Sequence, residues 1–226
     1  MSELAGYFVT GTDTGVGKTI VSLALLECLQ QAGLRAIGMK PVASGCEPTA
    51  AGLRNDDAMQ LRAHSSVQLG YELHNPYAFA PPVAPHIAAQ QSGCRIDPER
   101  IHACCRQLAG RADRLVVEGV GGWLVPLDAG VTLADLAVRL GLPVVLVVAM
   151  RLGCLNHALL TVQAIASAAL PLAGWVANSP GPPMEALDEN ISCLKSAVPA
   201  PLLGILPCQQ EPDVKLLANR LRLAVR

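Results

Sequence analysis

The chain has 226 residues, 51% of them hydrophobic and 15% charged, with 17 basic and 18 acidic side chains and a formal net charge of −1. That length gives a core large enough to stand without disulfide or metal staples, and so apolar a composition excludes intrinsic disorder. The near-even charge balance excludes a global attraction to nucleic acid or anionic membrane, so any anion must be recognised at a local site.

Short runs rich in Val, Leu and Ile alternate along the chain with helix-period runs. Tyr7–Thr10 reads as a strand, followed by a helix over Thr19–Ala32 in which Val21, Leu25, Cys28 and Leu29 share a face. A strand at Ala36–Lys40 and helices at Asp57–Arg62 and Asp97–Ala109 come next, then a strand at Arg114–Glu118 and a helix at Leu133–Leu140. Strands at Pro143–Ala149, Leu172–Ala177 and Leu202–Leu206 then alternate with helices at Leu155–Ala169, Glu185–Ala197 and Val214–Leu223. The Pro-rich stretches Asn75–Pro85 and Asn178–Pro183 read as loops. This alternation predicts one three-layer α/β domain over 1–226, a mostly parallel sheet with helices on both faces and right-handed crossovers. Ligands of such a sheet bind beyond the carboxyl ends of its strands. The chemistry is therefore expected just after Thr10, Lys40, Glu118, Ala149, Ala177 and Leu206.

The longest stretch free of Asp, Glu, Lys and Arg runs from Leu152 to Met184. It is interrupted by Asn156, His157, Gln163, Pro171 and Asn178, so it reads as soluble core rather than as a spanning helix. Met1–Val9 carries no apolar signal segment, and a cytoplasmic location is expected. The eight cysteines include no CxxC pair and read as small core residues or inert thiols. No histidine pair has metal-ligand spacing.

Directly after the first strand comes Gly11-Thr12-Asp13-Thr14-Gly15-Val16-Gly17-Lys18-Thr19, which opens a helix. Glycines let backbone N–H groups converge on an anion, and the helix N-terminus adds partial positive charge. Lys18 can bridge the outer phosphates of a nucleotide, and the Thr19 hydroxyl can ligate Mg²⁺. The usual phosphate-loop pattern begins with Gly at the position held here by Thr12, so the loop is a variant. The bland alternative is a Gly-rich turn.

Further strings lie in order along the chain: Lys40-Pro41-Val42-Ala43-Ser44-Gly45, Gly52-Leu53-Arg54-Asn55-Asp56-Asp57-Ala58, Asn75-Pro76-Tyr77, Pro85-His86-Ile87, Val117-Glu118-Gly119-Val120-Gly121-Gly122-Trp123, Leu152-Gly153-Cys154-Leu155-Asn156-His157-Ala158 and Ala173-Gly174-Trp175-Val176-Ala177-Asn178. With the phosphate loop, this ordered set resembles the dethiobiotin synthetase family over nearly the whole chain. The resemblance implies a P-loop NTPase-type fold working as a homodimer. It implies formation of the ureido ring of dethiobiotin from 7,8-diaminononanoate, CO₂ and ATP with Mg²⁺, in biotin biosynthesis.

The resemblance also assigns residues. Gly15, Val16, Gly17, Lys18, Thr19 and Ile20, with Gly119, Val120 and Gly121, would contact ATP, and Gly119, Gly121 and Gly122 would give a flexible backbone around the phosphates and substrate, an ordinary strand-to-loop turn being the plain alternative. Lys18 and Lys40 would be catalytic, and Thr19, Asp57 and Glu118 would ligate Mg²⁺. Asp56, beside Asp57, reads as a possible helix cap for Ala58 onward. Asn178 would read adenine, with Pro207, Cys208 and Gln209 lining the base. Thr14 and Ser44 would face the substrate. Gly153, Cys154, Leu155 and Asn156, at a helix start, would take its tail carboxylate from the partner subunit. Plain alternatives stand beside these: a solvated strand-end lysine for Lys40, a turn serine for Ser44 and a loop amide for Asn178. The family reaction needs no thiolate, so Cys154 with His157 is not a nucleophilic pair. Gly15 stands where some family members carry an acid, which makes the pocket more positive. Two other readings share this loop class. A partitioning-type ATPase carries a lysine where this chain has Asp13, and a cobyrinate-type amide synthetase needs a glutaminase domain that this length cannot accommodate.

Overall fold

Runs with no polar face to turn toward water can be satisfied only by burial on both sides, and a parallel sheet between helix layers provides it. In a computed structural model, describing residues 4–182 and 184–223, six such runs form one parallel sheet. They are β1 (Gly6–Gly11), β2 (Ala36–Met39), β3 (Arg114–Glu118), β4 (Val144–Ala149), β5 (Leu172–Asn178) and β6 (Leu202–Leu206), in the order β6-β5-β4-β1-β3-β2. Residues 1–3 of the N-terminal segment and Pro183 of the second predicted loop lie outside the described residues.

Strand alternation sends neighbouring residues to opposite layers. Phe8, Val117 and Ile37 face one layer, with Ile101, Cys105 and Leu108 of α3 (Pro98–Ala109) and Leu133, Leu136 and Leu140 of α4 (Leu133–Leu140). Val9, Val116, Val145 and Val147 face the other, against Val21, Leu25, Leu26 and Leu29 of α1 (Lys18–Gln31). Trp175, Leu146 and Val148 pack with α5 (Cys154–Ser167) and α6 (Leu187–Ala197). α1 is buried nearly all round, because the short helix Val214–Ala218 covers its far side and Cys28 Sγ donates to Ala218 O at 3.2 Å.

The six strands and the main helices stand where the sequence predicts them, within a residue or two. The differences come from tertiary contacts. The last predicted helix stops at Ala218, and Arg222 N–H then donates to Leu203 O at 2.7 Å, along the sheet edge. α6 begins at Leu187 rather than Glu185. The first Pro-rich loop contains a two-residue strand, Tyr77–Ala78, paired in parallel with Val42–Ala43, and Pro85 opens a seven-residue helix to Gln91. Short antiparallel ribbons join Glu47–Thr49 to Gly52–Arg54 and Pro126–Asp128 to Val131–Thr132. Among the described residues no helix is long and apolar enough to cross a membrane.

Strand order reverses at β1, with β3 on one side and β4 on the other. The loops leaving these strands part there and open a crevice at their carboxyl ends.

Candidate active site

The first crevice element is the loop between β1 and α1. Gly17 has φ +89°, and a Cβ there would stand 2.1 Å from Asn178 Nδ2. Only glycine permits that backbone with that close approach. The Asn178 amide, at the end of β5, donates to Val16 O at 2.8 Å, so one side chain ties the loop to the far half of the sheet.

Two cavities flank the loop. The larger, about 710 Å³, is lined by Thr14, Gly15, Gly17, Lys18, Thr19, Lys40, Ser44, Asp57, Glu118, Val120 and Gly121 among others. The smaller, about 190 Å³, is lined by Gly17, Ile20, Asn178, Pro207, Cys208 and Gln209, together with Ser179, Pro180, Pro212 and Leu217. Most of the sequence-predicted site residues are thus brought to one or other side of the loop. Val16 and Gly119 line neither cavity: Val16 is fully buried, and Gly119 packs against Leu133 and Val9 O.

Four charged side chains meet in the larger cavity. Lys40 leaves the end of β2 and Glu118 the end of β3; they are 6% and 1% exposed. Lys40 Nζ donates to Glu118 Oε1 at 2.7 Å and also to Asp57 Oδ2. The Thr19 hydroxyl donates to Glu118 Oε1 at 3.0 Å. Lys18 Nζ donates to Asp13 O at 2.8 Å and Gly121 O at 2.7 Å. Burial opposes the charge on Lys40, but its two carboxylate partners outweigh that and raise its pKa. Burial likewise opposes ionisation of Asp57, and Lys40 overrides it, holding the carboxyl below the usual range. Lys18 has only carbonyl partners, and burial lowers it to about 8 despite the attraction of Glu118.

Asp57 is placed by its helix. α2 (Asp56–Ala63) is capped by Asn55, whose side chain accepts from Ala58 N–H at 3.1 Å. The cap is therefore Asn55 and not Asp56, because Asn55 has the extended backbone that a capping residue needs. Both acids fall in the first turn, where the helix dipole favours them; Asp57 lines the cavity and Asp56 does not.

Of the buried side-chain oxygens without a hydrogen-bond partner among the described residues, Glu118 Oε2 and Ser44 Oγ belong to residues that line the larger cavity. An unpaired buried oxygen is costly unless a ligand meets it. Thr19, Asp57 and Glu118 offer only hard oxygen donors, the set that suits Mg²⁺ held by one or two carboxylates plus phosphate oxygens. Among the described residues no three His, Cys, Asp or Glu side chains form a metal-holding group.

Gly153, Cys154, Leu155 and Asn156 line neither cavity. Gly153 and Asn156 are exposed at the start of α5, while Cys154 is buried with Ala158 and Trp175. A carboxylate there would meet backbone and Asn156, not the thiol. Arg151, just before, reaches back to Asp13 Oδ2 of the phosphate loop at 2.6 Å. All eight cysteines are free.

Sequence reasoning missed the apolar wall of the larger cavity, Pro82, Val83, Ala84, Pro85 and Val125, and its polar member Asn55. The wall carries no chemical signature, and only its proline density marked it as loop. Asn55 had a usable signal, an Asx residue directly before two acids at a helix start.

The family model described as an AAA domain matches residues 5–214. The ATP-dependent dethiobiotin synthetase BioD of Aromatoleum aromaticum is 52% identical over 223 residues, covering 99% of each chain. The protein of the same name in Pseudomonas aeruginosa strain UCBPP-PA14 is 50% identical over 221 residues, 97% of each chain. Among solved structures, the septum site-determining protein MinD of Pyrococcus horikoshii, complexed with Mg-ADP, superposes with a TM-score of 0.56 at 16% identity, covering 92% of this chain and 82% of that one. The signal recognition particle receptor FtsY of Elizabethkingia anophelis, in complex with GDP, gives 0.55 at 13% identity, covering 99% and 61%. These two likenesses show the P-loop NTPase fold alone. Half the residues are shared with the synthetases over almost the full length, and the chain belongs to the ATP-dependent dethiobiotin synthetase family.

Proposed function

We propose that the protein is an ATP-dependent ligase that closes the ureido ring of dethiobiotin from 7,8-diaminononanoate, CO₂ and ATP. The observation that carries this reading is the gathering of Lys18, Lys40, Thr19, Asp57 and Glu118 around one cavity beside the phosphate loop. A substrate amine captures CO₂ as a carbamate. A carbamate oxygen attacks the γ-phosphorus of ATP and ADP leaves. The second amine then attacks the carbonyl carbon of the mixed anhydride and expels phosphate. None of these steps needs an enzyme nucleophile, so the protein's work is positioning and charge neutralisation.

Lys18 holds the outer phosphates, exchanging its two carbonyl partners for anionic ones. Lys40, already charged and aimed by its carboxylates, stabilises the charge that grows as the carbamate meets the γ-phosphate. Ser44 Oγ, which has no hydrogen-bond partner among the described residues, bonds the substrate amine or carbamate, and Thr14, which also lines the cavity, faces the substrate. Asp57, Glu118 and Thr19 would hold Mg²⁺, which when bound neutralises phosphate charge. In the smaller cavity one N–H of the Asn178 amide goes to Val16 O, and Oδ1 is placed to accept from the exocyclic amine of adenine. Pro207, Cys208 and Gln209 wall the base.

The working unit is one domain over 1–226, paired as a cytoplasmic homodimer. The exposed start of α5 supports the pairing. Leu152, beside Gly153, is 96% exposed and Leu160 is 56% exposed, so an apolar strip borders the segment assigned to a neighbour's substrate tail. The deciding assay is phosphate release from ATP with 7,8-diaminononanoate and bicarbonate, each component omitted in turn. Release independent of the diamine rejects the reading.

A further inference from the structure

Lys40 and Asp57 reach the cavity from different elements, the end of β2 and the first turn of α2. α2 is tied to β2 at its far end, where Gly38 lies against Leu61 and its N–H donates to Ser65 Oγ at 2.9 Å, but at the cavity end the chain joining Lys40 to Asp57 runs out through a ribbon at Glu47–Arg54. A four-residue helix, Tyr71–His74, lies beneath both. The Lys40 main chain is gripped from it on two sides: Lys40 N–H donates to His74 O at 2.8 Å, and Asn75 Nδ2 donates to Lys40 O at 2.6 Å. The other Asn75 donor goes to Tyr77 O at 3.3 Å, and Asn75 Oδ1 accepts from the Tyr71 hydroxyl at 2.9 Å. That hydroxyl in turn accepts from Asn55 N–H at 2.9 Å, and Asn55 caps the helix that carries Asp57. Arg54 lies over the Tyr71 ring, its guanidinium carbon 4.1 Å from the centroid.

We infer that Tyr71 and Asn75 are positioning residues that set where Lys40 and Asp57 stand relative to each other, and so how the ammonium meets the reacting phosphate. The inference rests on the roles given to Lys40 and Asp57 above. Both residues are buried, and neither lines either of the two cavities described, so they act on the site through the groups they hold. Apart from the Asn75 donor on Tyr77 O, their side-chain polar atoms are spent within the chain Lys40–Asn75–Tyr71–Asn55, which gives a continuous hydrogen-bonded path between the two elements. Displacing a catalytic group by about 1 Å from a distance can cost about 100-fold in rate.

The experiment is steady-state phosphate release by the full chain carrying Tyr71→Phe or Asn75→Ala, with ATP, 7,8-diaminononanoate and bicarbonate, alongside thermal melting. Tyr71→Phe is expected to lower kcat about 10-fold and Asn75→Ala about 100-fold, with KM for ATP within about 3-fold of the parent. In a Lys40→Gln background, Tyr71→Phe should lose most of its effect, because the two substitutions disable one unit. A general loss of folded protein would instead cost the same factor in both backgrounds. Parent-like kcat in Tyr71→Phe, or an equal factor in both backgrounds, overturns the inference. If Asn75→Ala fails to fold, Tyr71→Phe decides alone. A parent enzyme that releases no diamine-dependent phosphate sinks the functional reading and this inference with it; an active parent matched by Tyr71→Phe sinks only the inference.

Discussion

Lys18 and Lys40 lie side by side in the larger cavity and burial opposes the charge on both, yet their pKa values move in opposite directions. Lys40 has two carboxylates and is held charged, whereas Lys18 has two carbonyls and is pulled down to about 8. Lys18 is therefore the group left short of an anion, and in the proposed reaction a triphosphate would supply one. Lys18→Ala should abolish ATP turnover while far-UV circular dichroism and melting stay close to the parent; retained turnover would remove it from the site. Lys40→Gln should lower kcat far more than it weakens ATP binding, because its charge is needed in the transition state. Comparing kcat with the Kd from nucleotide titration checks this, and an undiminished kcat refutes it. Gly17→Ala tests the loop backbone itself. A side chain at φ +89°, 2.1 Å from Asn178 Nδ2, forces apart the loop and β5, so nucleotide binding should be lost.

At the scale of elements, the segment under Lys40 carries a pH dependence. His74 is fully buried, and Nδ1 lies 2.7 Å from Gly38 O while Nε2 accepts from Leu69 N–H at 3.4 Å. Burial lowers its pKa, with Arg62 adding to the effect and Gly38 O and Glu72 opposing it. The unfolded chain therefore takes up a proton near the ordinary value of about 6.5 before the folded one does. Stability is full above that pH and falls as pH drops below it, until the folded imidazole protonates as well. Denaturant midpoints between pH 5 and pH 7.5 should show this slope, and His74→Gln should flatten it; an unchanged slope rejects the assignment. This segment also shows where sequence reading stops. The six core strands were legible because each is a continuous apolar run, and the phosphate loop because Gly17-Lys18-Thr19 follows a strand and opens a helix. Lys40 and Glu118 were legible as strand-end charges. Tyr71, Asn75 and Asn55 act through bonds to residues up to 35 positions away, and nothing local announces such a contact. The two-residue strand Tyr77–Ala78 is too short for any periodicity and exists only because Val42–Ala43 lies beside it.

For the whole molecule, the placing of Gly153–Asn156 outside both cavities makes the proposed dimer testable by mixing. Lys18→Ala subunits keep the start of α5, and Asn156→Asp subunits keep the phosphate loop while repelling a carboxylate. If a site draws on both subunits, co-refolding an equal mixture of two inactive variants should recover roughly a quarter of parent activity, since half the dimers then carry one intact site in two. No recovery would place the tail within a single subunit. The two cavities on either side of one loop also divide labour along the chain. Reacting groups come from the ends of β1, β2 and β3, whereas the smaller pocket is walled by the ends of β5 and β6 and the helix at Val214. Under the proposed roles, base recognition and bond-making fall in separate stretches of polypeptide, which meet at Gly17 and at the Asn178–Val16 hydrogen bond. If those roles hold, substitutions within residues 207–212 are expected to alter which nucleoside triphosphate is accepted while leaving Lys18, Lys40, Asp57 and Glu118 in place.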